Sequence, residues 1–415
     1  MVNRPAQGTA NVPSRAAWRN IPAGVWTLGI VSLLMDTSSE LIHSLLPLFL
    51  VTTLGVSALA VGMIEGVAEA TALCVKVFSG YLSDYFRRRK LLTALGYGLA
   101  AFSKPLFPLA TSFGWVVTAR LIDRVGKGIR GAPRDALIAD ITPPASQGAA
   151  YGLRQALDTV GAVLGPLLAI AAMLWFAGDF RAVFWLAAVP AFASVTLLIV
   201  GVREPAAVEA KRANEPRVAF ADIRRLPAAY WWVVGIAAIM TLARFSEAFL
   251  VLRAQSVGMA LAWIPLVMAL MSIVYAMVAY PAGVLADRGR ESALLQAGLL
   301  ALIIADLLLA NARSSTIVFA GTAVWGVHMG LTQGVFAALV AATAPADLRG
   351  TAFGLFNLAS GIALLAASVL AGWLWDAFGP AQTFYAGAVF TALSWVALVV
   401  RSRFSHPRAR RTNGV

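Results

Sequence analysis

The string GYLSD at residues 80–84 returns as GVLAD at 283–287, and GAAYGL at 148–153 returns as GTAFGL at 350–355. Both pairs are offset by 202 or 203 residues, about half of the 415-residue chain, so one unit is written twice. The unit is apolar. Hydrophobic residues make up 60% of the chain, charged residues 13%, and mean hydropathy is +0.77, with apolar runs long enough to cross a bilayer recurring throughout. A duplicated apolar helical unit is how many membrane carriers build two halves that rock about a shared site.

The periodicity predicts an all-α membrane protein with twelve transmembrane helices in two pseudo-symmetric six-helix bundles. The spans fall at 24–50, 58–83, 90–110, 113–139, 149–175, 181–201, 228–253, 262–285, 291–311, 315–341, 351–374 and 381–401. The corresponding domains are a cytoplasmic tail (1–23), an N-terminal bundle (24–201), a cytoplasmic linker (202–227), a C-terminal bundle (228–401) and a basic cytoplasmic tail (402–415). The net charge of +13 raises the question of nucleic acid, but its placement answers otherwise. With the N-terminus inside, most Lys and Arg outside the spans are cytoplasmic, and only Arg181, Arg253 and Arg313 lie on the far side. We therefore expect a multi-pass protein of the cytoplasmic membrane with both termini cytoplasmic, no cleaved leader, and a basic tail against anionic lipid headgroups. Cys74 is the single cysteine, which excludes an internal disulfide and a thiolate metal site.

The spans also carry charge, and a charge at the bilayer centre costs about 2.5–3.5 kcal/mol even on an insertion scale, so each should face protein or water. Asp36, Glu40, His43 and Pro47 share one stripe of the first span, and Glu65, Glu69 and Lys76 one stripe of the second. Arg120, Arg124 and Lys127 line the fourth beside Asp123 and Arg130, and the fifth aligns Arg154, Asp158, Gly161 and Gly165. Opposed acidic and basic stripes are expected of helices facing a common polar cavity; Lys104 adds a further cation, and structural ion pairing is the competing explanation. At an offset of 202, Arg124 maps to Gly326, Lys127 to Met329 and Asp158 to Ser360, and the second-half spans carry only Arg244, Glu247 and Asp306. The halves share a fold but not a chemistry. The second half offers Trp325, His328, Gln333, Phe336, Phe356 and Asn357 as substrate-contact candidates, joined by His43, Glu65, Glu69, Arg244 and Glu247.

GYLSDYFRRRK resembles the loop signature between the second and third helices of the major facilitator superfamily, with Tyr85 and Arg87 standing where that pattern has a basic residue and a glycine. The resemblance implies a cytoplasmic latch of Gly80, Asp84, Arg88 and Arg89, echoed by Gly283, Asp287 and Arg288. Gly152, Gly161, Gly165 and Pro166 resemble the antiporter signature of drug:proton exporters in this superfamily, with Ala169 and Ile170 in place of its closing glycine pair. Arg124, Lys127 and Gly128 fall on the superfamily's Arg, Gln, Gly pattern, and DRVGKGIRGAPRDALIAD is similar to a prokaryotic subfamily of unassigned substrate.

The resemblance implies a secondary active transporter, an antiporter that couples efflux of small organic molecules to protons by alternating access. Asp36, Glu40, Asp123 and Asp158 are the proton-coupling candidates, with Asp36 and Glu40 leading, and Arg120, Arg124, Lys127 and Arg154 the cavity cations. The alternative is a symporter or exchanger of an organic anion bound by the basic stripe of the fourth helix. The expected partners are a small-molecule substrate, protons and membrane lipids; we expect a monomer, no nucleic acid, no cofactor, no metal and no catalytic residue, the chain showing no phosphate loop or nucleophile–base cluster.

Overall fold

The computed structural model describes residues 21–86, 88–143, 146–203, 220–345 and 348–404, without the side-chain surroundings of 80–82, 84–86, 220–222, 287, 337–338, 349–350, 397 and 400–404. The expected tails, most of the linker, and the side chains of Asp84 and Asp287 thus lie outside the described residues. Twelve helical spans follow one another: α1 (Ala23–His43), α2 (Ala58–Phe86), α3 (Arg89–Ser103), α4 (Phe113–Ile141), α5 (Gln147–Trp175), α6 (Phe180–Gly201), α7 (Ala228–Ala243, resuming at Ala248–Ser256), α8 (Leu266–Asp287), α9 (Glu291–Ala310), α10 (Ser315–Thr343), α11 (Arg349–Phe378) and α12 (Pro380–Phe404). Among the described residues nine spans are long and apolar enough to cross a bilayer by composition alone. Of the other three, α4 falls short because it carries too many charges, α3 because its regular turns end after 15 residues, and α12 because its fully described stretch, 380–396, is too short to count.

Three spans are less regular than their apolar patterns predict. Helix α1 stops at His43, restarts as a short turn at Leu46–Leu48 around Pro47, and finishes as a π-helical turn at Phe49–Thr53. Proline removes a backbone donor and clashes with the preceding turn, which accounts for that break. Pro105 likewise turns the end of α3 into a 3-10 segment, Lys104–Leu106. Helix α7 breaks at Arg244–Glu247 without a proline. There Ser368 Oγ accepts from Ser246 N–H at 3.2 Å and Ser246 Oγ accepts from Ala248 N–H at 3.2 Å, so side chains take over donors that the helix has released.

Because the number of spans is even, the start of α1 and the end of α12 lie on one face, here termed basal, with the opposite face termed distal. The duplication is visible in the packing. Helix α1 packs on α5 as α7 does on α11, α2 on α4 as α8 on α10, α3 on α4 as α9 on α10, and α3 on α6 as α9 on α12. The halves meet along α2–α11 and α5–α8. At the first of these seams a side chain on Gly62 would lie 2.1 Å from the Ser368 carbonyl, and one on Gly372 would lie 2.6 Å from that of Ala58, so the backbones touch. Asp376 of α11 closes the seam distally: its two carboxylate oxygens accept from the N–H groups of Ala58 and Leu59 at 3.0 and 2.8 Å, at the start of α2.

The apolar cores show which face is shut. One distal cluster draws on both halves, joining Leu45, Phe49, Phe107 and Phe184 with Phe249, Met268, Val318 and Phe384. On the basal side the clusters stay within their own halves. One comprises residues between Ile21 and Val202, and the other two begin at Leu226 and Ala282. The apolar core that both bundles share is therefore distal; among the described residues the basal clusters each belong to one half, although the α2–α11 seam continues towards the basal face, where a side chain on Gly354 would lie 3.0 Å from Val77.

Candidate functional site

Helix α4 builds the site because it lies between α2 and α3 and projects a cation at nearly every turn. Arg120 Nη2 donates to Glu65 Oε2 of α2 at 2.6 Å, and Arg124 Nη1 lies 2.9 Å from Glu69 Oε1 of the same helix. One turn of α3 supplies the opposite arrangement: Lys104 Nζ donates to Asp123 Oδ1 at 2.7 Å and to Ser39 Oγ at 2.9 Å. Arg120, Arg124, Asp123, Lys104 and Glu65 are all essentially inaccessible to solvent. Charges so deeply buried are tolerable only when paired, and here the i, i+4 acidic stripe of α2 matches the i, i+4 basic stripe of α4.

Helix α1 adds the third wall. Its His43 bridges two carboxylates, with Nδ1 3.2 Å from Glu40 Oε2 and Nε2 3.4 Å from Glu65 Oε2. Asp36 is held more loosely: its one cationic contact among the described residues is Arg130 Nη2 at 3.4 Å, and its side chain is 25% exposed. Arg130 is itself braced by the ring of Tyr97, 4.7 Å below its guanidinium. What brings α5 against this stripe is glycine. A side chain at Gly161 would lie 2.7 Å from the Leu33 carbonyl and 3.1 Å from Asp36 Cβ, and one at Gly165 would lie 2.7 Å from Glu40 Cβ. The two glycines expected from the α5 pattern therefore seat α5 directly behind Asp36 and Glu40, whereas Gly152 faces open space and Pro166 is buried within the helix.

Towards the basal face the network continues through residues that periodicity singled out only in part. Arg154 Nη1 donates to Asp135 Oδ1 at 2.8 Å and its Nη2 lies 3.0 Å from Asp158 Oδ2. Arg134, one turn beyond Arg130 on the same face, donates to Ser32 Oγ at 2.6 Å and lies 3.2 Å from Asp135. Arg134, Asp135, Ser32 and Tyr97 were not among the expected site residues; the i, i+4 step from Arg130 to Arg134 is the signal that points to the first. Of the expected latch, Arg88 and Arg288 are exposed, Gly283 faces open space, and Arg89 is buried, donating to Asp140 and to the Ala136 carbonyl of α4.

The second half presents a different lining. At the break in α7, Glu247 is in electrostatic range of His43, Glu40 and Glu69, and Arg244 in range of Glu247, Tyr275 and His328. His328 is buried and its Nδ1 donates to the Gly298 carbonyl at 2.8 Å, while Trp325 is fully buried against the Phe245 ring at 5.4 Å. Gln333 and Asn357 are half-buried, and Phe356 packs against the Leu226–Ala352 core. Asp306 of α9 is fully buried, with neither oxygen bonded. Among the described residues no group of three or more His, Cys, Asp or Glu is placed to hold a metal, and the Cys74 thiol is free.

A twice-written six-helix unit with a distal core shared by both copies and a buried charge network in the first defines a carrier of the alternating-access kind. The profile of the Major Facilitator Superfamily matches residues 28–259 and again 240–414. An uncharacterized MFS-type transporter of Methanocaldococcus jannaschii is 33% identical over 388 residues, covering 92% of this chain and 95% of that protein. Multidrug resistance protein MdtH of Proteus mirabilis is 28% identical over 175 residues, 39% of this chain and 41% of that protein. Among solved structures, a bacterial homolog of the human lysosomal transporter Spinster, in an inward-facing and occupied conformation, shares the fold at a TM-score of 0.74 and 17% identity, covering 95% of this chain and 98% of that chain. The chain belongs to the Major Facilitator Superfamily: it is a multi-pass membrane protein and a secondary transporter of small molecules, not an enzyme.

Proposed function

We propose that this transporter exports small organic molecules in exchange for protons, with Asp36 as the carboxylate that gains and loses the proton. The observation that carries the reading is the looseness of Asp36 within a tightly paired network. Glu65, Glu69, Asp123 and Asp158 each have a cationic group within 3.0 Å, whereas Glu40 meets His43 at 3.2 Å and Asp36 has the longest closest contact of these, Arg130 at 3.4 Å. Protonating Asp36 leaves Arg130 held by the Tyr97 ring; deprotonating it restores the pair. Because Gly161 seats α5 against Asp36 Cβ, a change in this pair bears directly on the α1–α5 contact and hence on the bundle's shape. Of the expected partners of this carboxylate, Lys127 acts on it only at longer range, and Arg124 is occupied by Glu69.

The abundance of Lys and Arg at the basal face supports placing it in the cytoplasm, which makes the distally fused state inward-facing. The name of the Proteus mirabilis relative supports efflux. The domain boundaries follow the same reading: bundles at 24–201 and 228–401 joined by a cytoplasmic linker, with Arg88 and Asp84 meeting the other half in the basally closed state while Arg89 stays engaged with Asp140 of its own half. A susceptibility screen in a strain stripped of its own exporters, with and without this gene, supplies a substrate. Proteoliposomes then test the coupling. An imposed proton gradient should drive uphill accumulation by the wild type and by Glu40→Gln, and Asp36→Asn should only equilibrate the substrate; uphill accumulation by Asp36→Asn would sink the proposal.

A further inference from the structure

The ion pairs leave a remainder. Every carboxylate of the first-half network has a cationic group within 4 Å, and Lys104, Arg120, Arg124, Arg130, Arg134 and Arg154 are each engaged in return. Two cations of the central layer are not engaged. Lys127 is exposed and makes no hydrogen bond or ion pair among the described residues, yet it lies within electrostatic range of Asp36, Glu40 and Glu69. Arg244 likewise has no bonded partner, although it is only half-buried at mid-span in α7. The two come from opposite halves and share neighbours, since Glu40 and Glu69 are in range of both Lys127 and Glu247, which in turn is in range of Arg244.

The backbone at Arg244 gives a second, independent indication. Non-helical backbone at membrane depth persists only where it is enclosed by protein or lines a wet cavity, and interrupted helices of this kind mark binding sites in carriers. The unwound stretch Arg244–Glu247 holds its own polar groups through Ser246 and Ser368, which leaves the Arg244 guanidinium free. A half-buried guanidinium without a partner is costly, and an acidic ligand relieves it while drawing on the exposed ammonium of Lys127, which shares its acidic neighbours.

We infer that the transported molecule carries an acidic group, a carboxylate or a phosphate-type oxyanion, which Lys127 of the first half and Arg244 of the second grip together. Arg244 supplies the fork that fits two oxygens of one acid, Lys127 a point charge, and Lys76 extends the unpaired cationic line towards the basal face. A ligand held by both halves ties their movement together, which is what an alternating carrier needs of its cargo. Glu247, also without an ion pair, disfavours acids that lack a donor group beside the oxyanion, since it would face them directly.

This inference rests on the efflux reading but is tested apart from it. Purified full-length protein in nanodiscs is melted with benzoate, citrate and glucose 6-phosphate, each beside an uncharged match (benzamide, citrate trimethyl ester, glucose), and with the organic cation tetraphenylphosphonium. At least one acid at millimolar concentration should raise the melting temperature where its uncharged match does not. Lys127→Gln and Arg244→Gln should each weaken that binding by about tenfold or more, and Lys127→Arg should restore most of it. Both Gln variants break no existing ion pair, and each must melt at the wild-type temperature without ligand for its result to count, Arg244→Met and Lys127→Met replacing any that does not. Stabilisation by the cation or the uncharged compounds alone, no response to any acid, or acid binding untouched by both substitutions overturns the inference. Proton coupling is read separately, so a carrier that accumulates a cationic drug on a proton gradient keeps the efflux reading and loses this one.

Discussion

Helices α4 and α10 occupy equivalent places in the two halves, beginning at Phe113 and Ser315 and ending at Ile141 and Thr343, a constant offset of 202. What they do there differs. Where α4 places Arg124, which reaches across to Glu69, α10 places Gly326, and a side chain there would lie 2.7 Å from the Met271 carbonyl of α8. One helix is held by charge, the other by backbone contact. The same substitution of means appears at Lys104–Asp123: the equivalent positions are Asp306, fully buried with no bond, and Trp325, whose Nε1 is also unbonded. Duplication thus preserved the packing of the helices while the ionic network belongs to the first copy, and the second copy contributes an interrupted helix.

The comparison can be broken at several points, and the largest effect is expected at the buried pair. Asp123→Asn leaves the Lys104 ammonium buried without its counter-charge and should destabilise the protein by about 3–5 kcal/mol, read as a large drop in melting temperature in detergent, whereas the double change Lys104→Met with Asp123→Leu recovers most of the loss. If Asp306→Asn proved as damaging as Asp123→Asn, the halves would be chemically alike after all. Next comes the seat behind the coupling carboxylate. Gly165→Leu must push α1 away from α5 and should cost about 1–3 kcal/mol along with transport, while Gly152→Ala, facing open space, should change neither. Asp376→Ala removes the cap on α2 and should weaken distal closure by about 1 kcal/mol, roughly a fivefold gain in the reactivity of a cysteine placed under the distal core. The smallest effect is expected from Asp306→Asn itself, which removes no partner and should leave the melting temperature within a few degrees of the wild type.

The architecture was legible because a bilayer permits few solutions: apolar runs of a given length become helices, and a repeat copies their order. Thus the ends of α4 and α10 fall within a few residues of the periodic patterns that announce them. The break at Pro47 has a local cause, but that at Arg244–Glu247 does not, since its donors are taken up by Ser368 more than a hundred residues away. The site was legible by stripe and not by partner. Periodicity shows that Arg120, Arg124 and Lys127 share a face, yet whether Arg124 meets Asp36, Glu40 or Glu69 depends on how α1 and α2 lie around α4. The pairing that matters most here, Asp36 with Arg130, depends on glycine contacts at Gly161 that no spacing within α1 or α4 reveals.

The account stands or falls on where the coupling carboxylate sits. The most direct measurement is proton-driven accumulation in proteoliposomes by Asp36→Asn beside Asp306→Asn, with a substrate taken from the susceptibility screen. The account predicts that Asp36→Asn equilibrates substrate without concentrating it, while Asp306→Asn concentrates it as the wild type does. Uphill accumulation that survives in Asp36→Asn and is lost in Asp306→Asn would place the proton chemistry in the second half and contradict it.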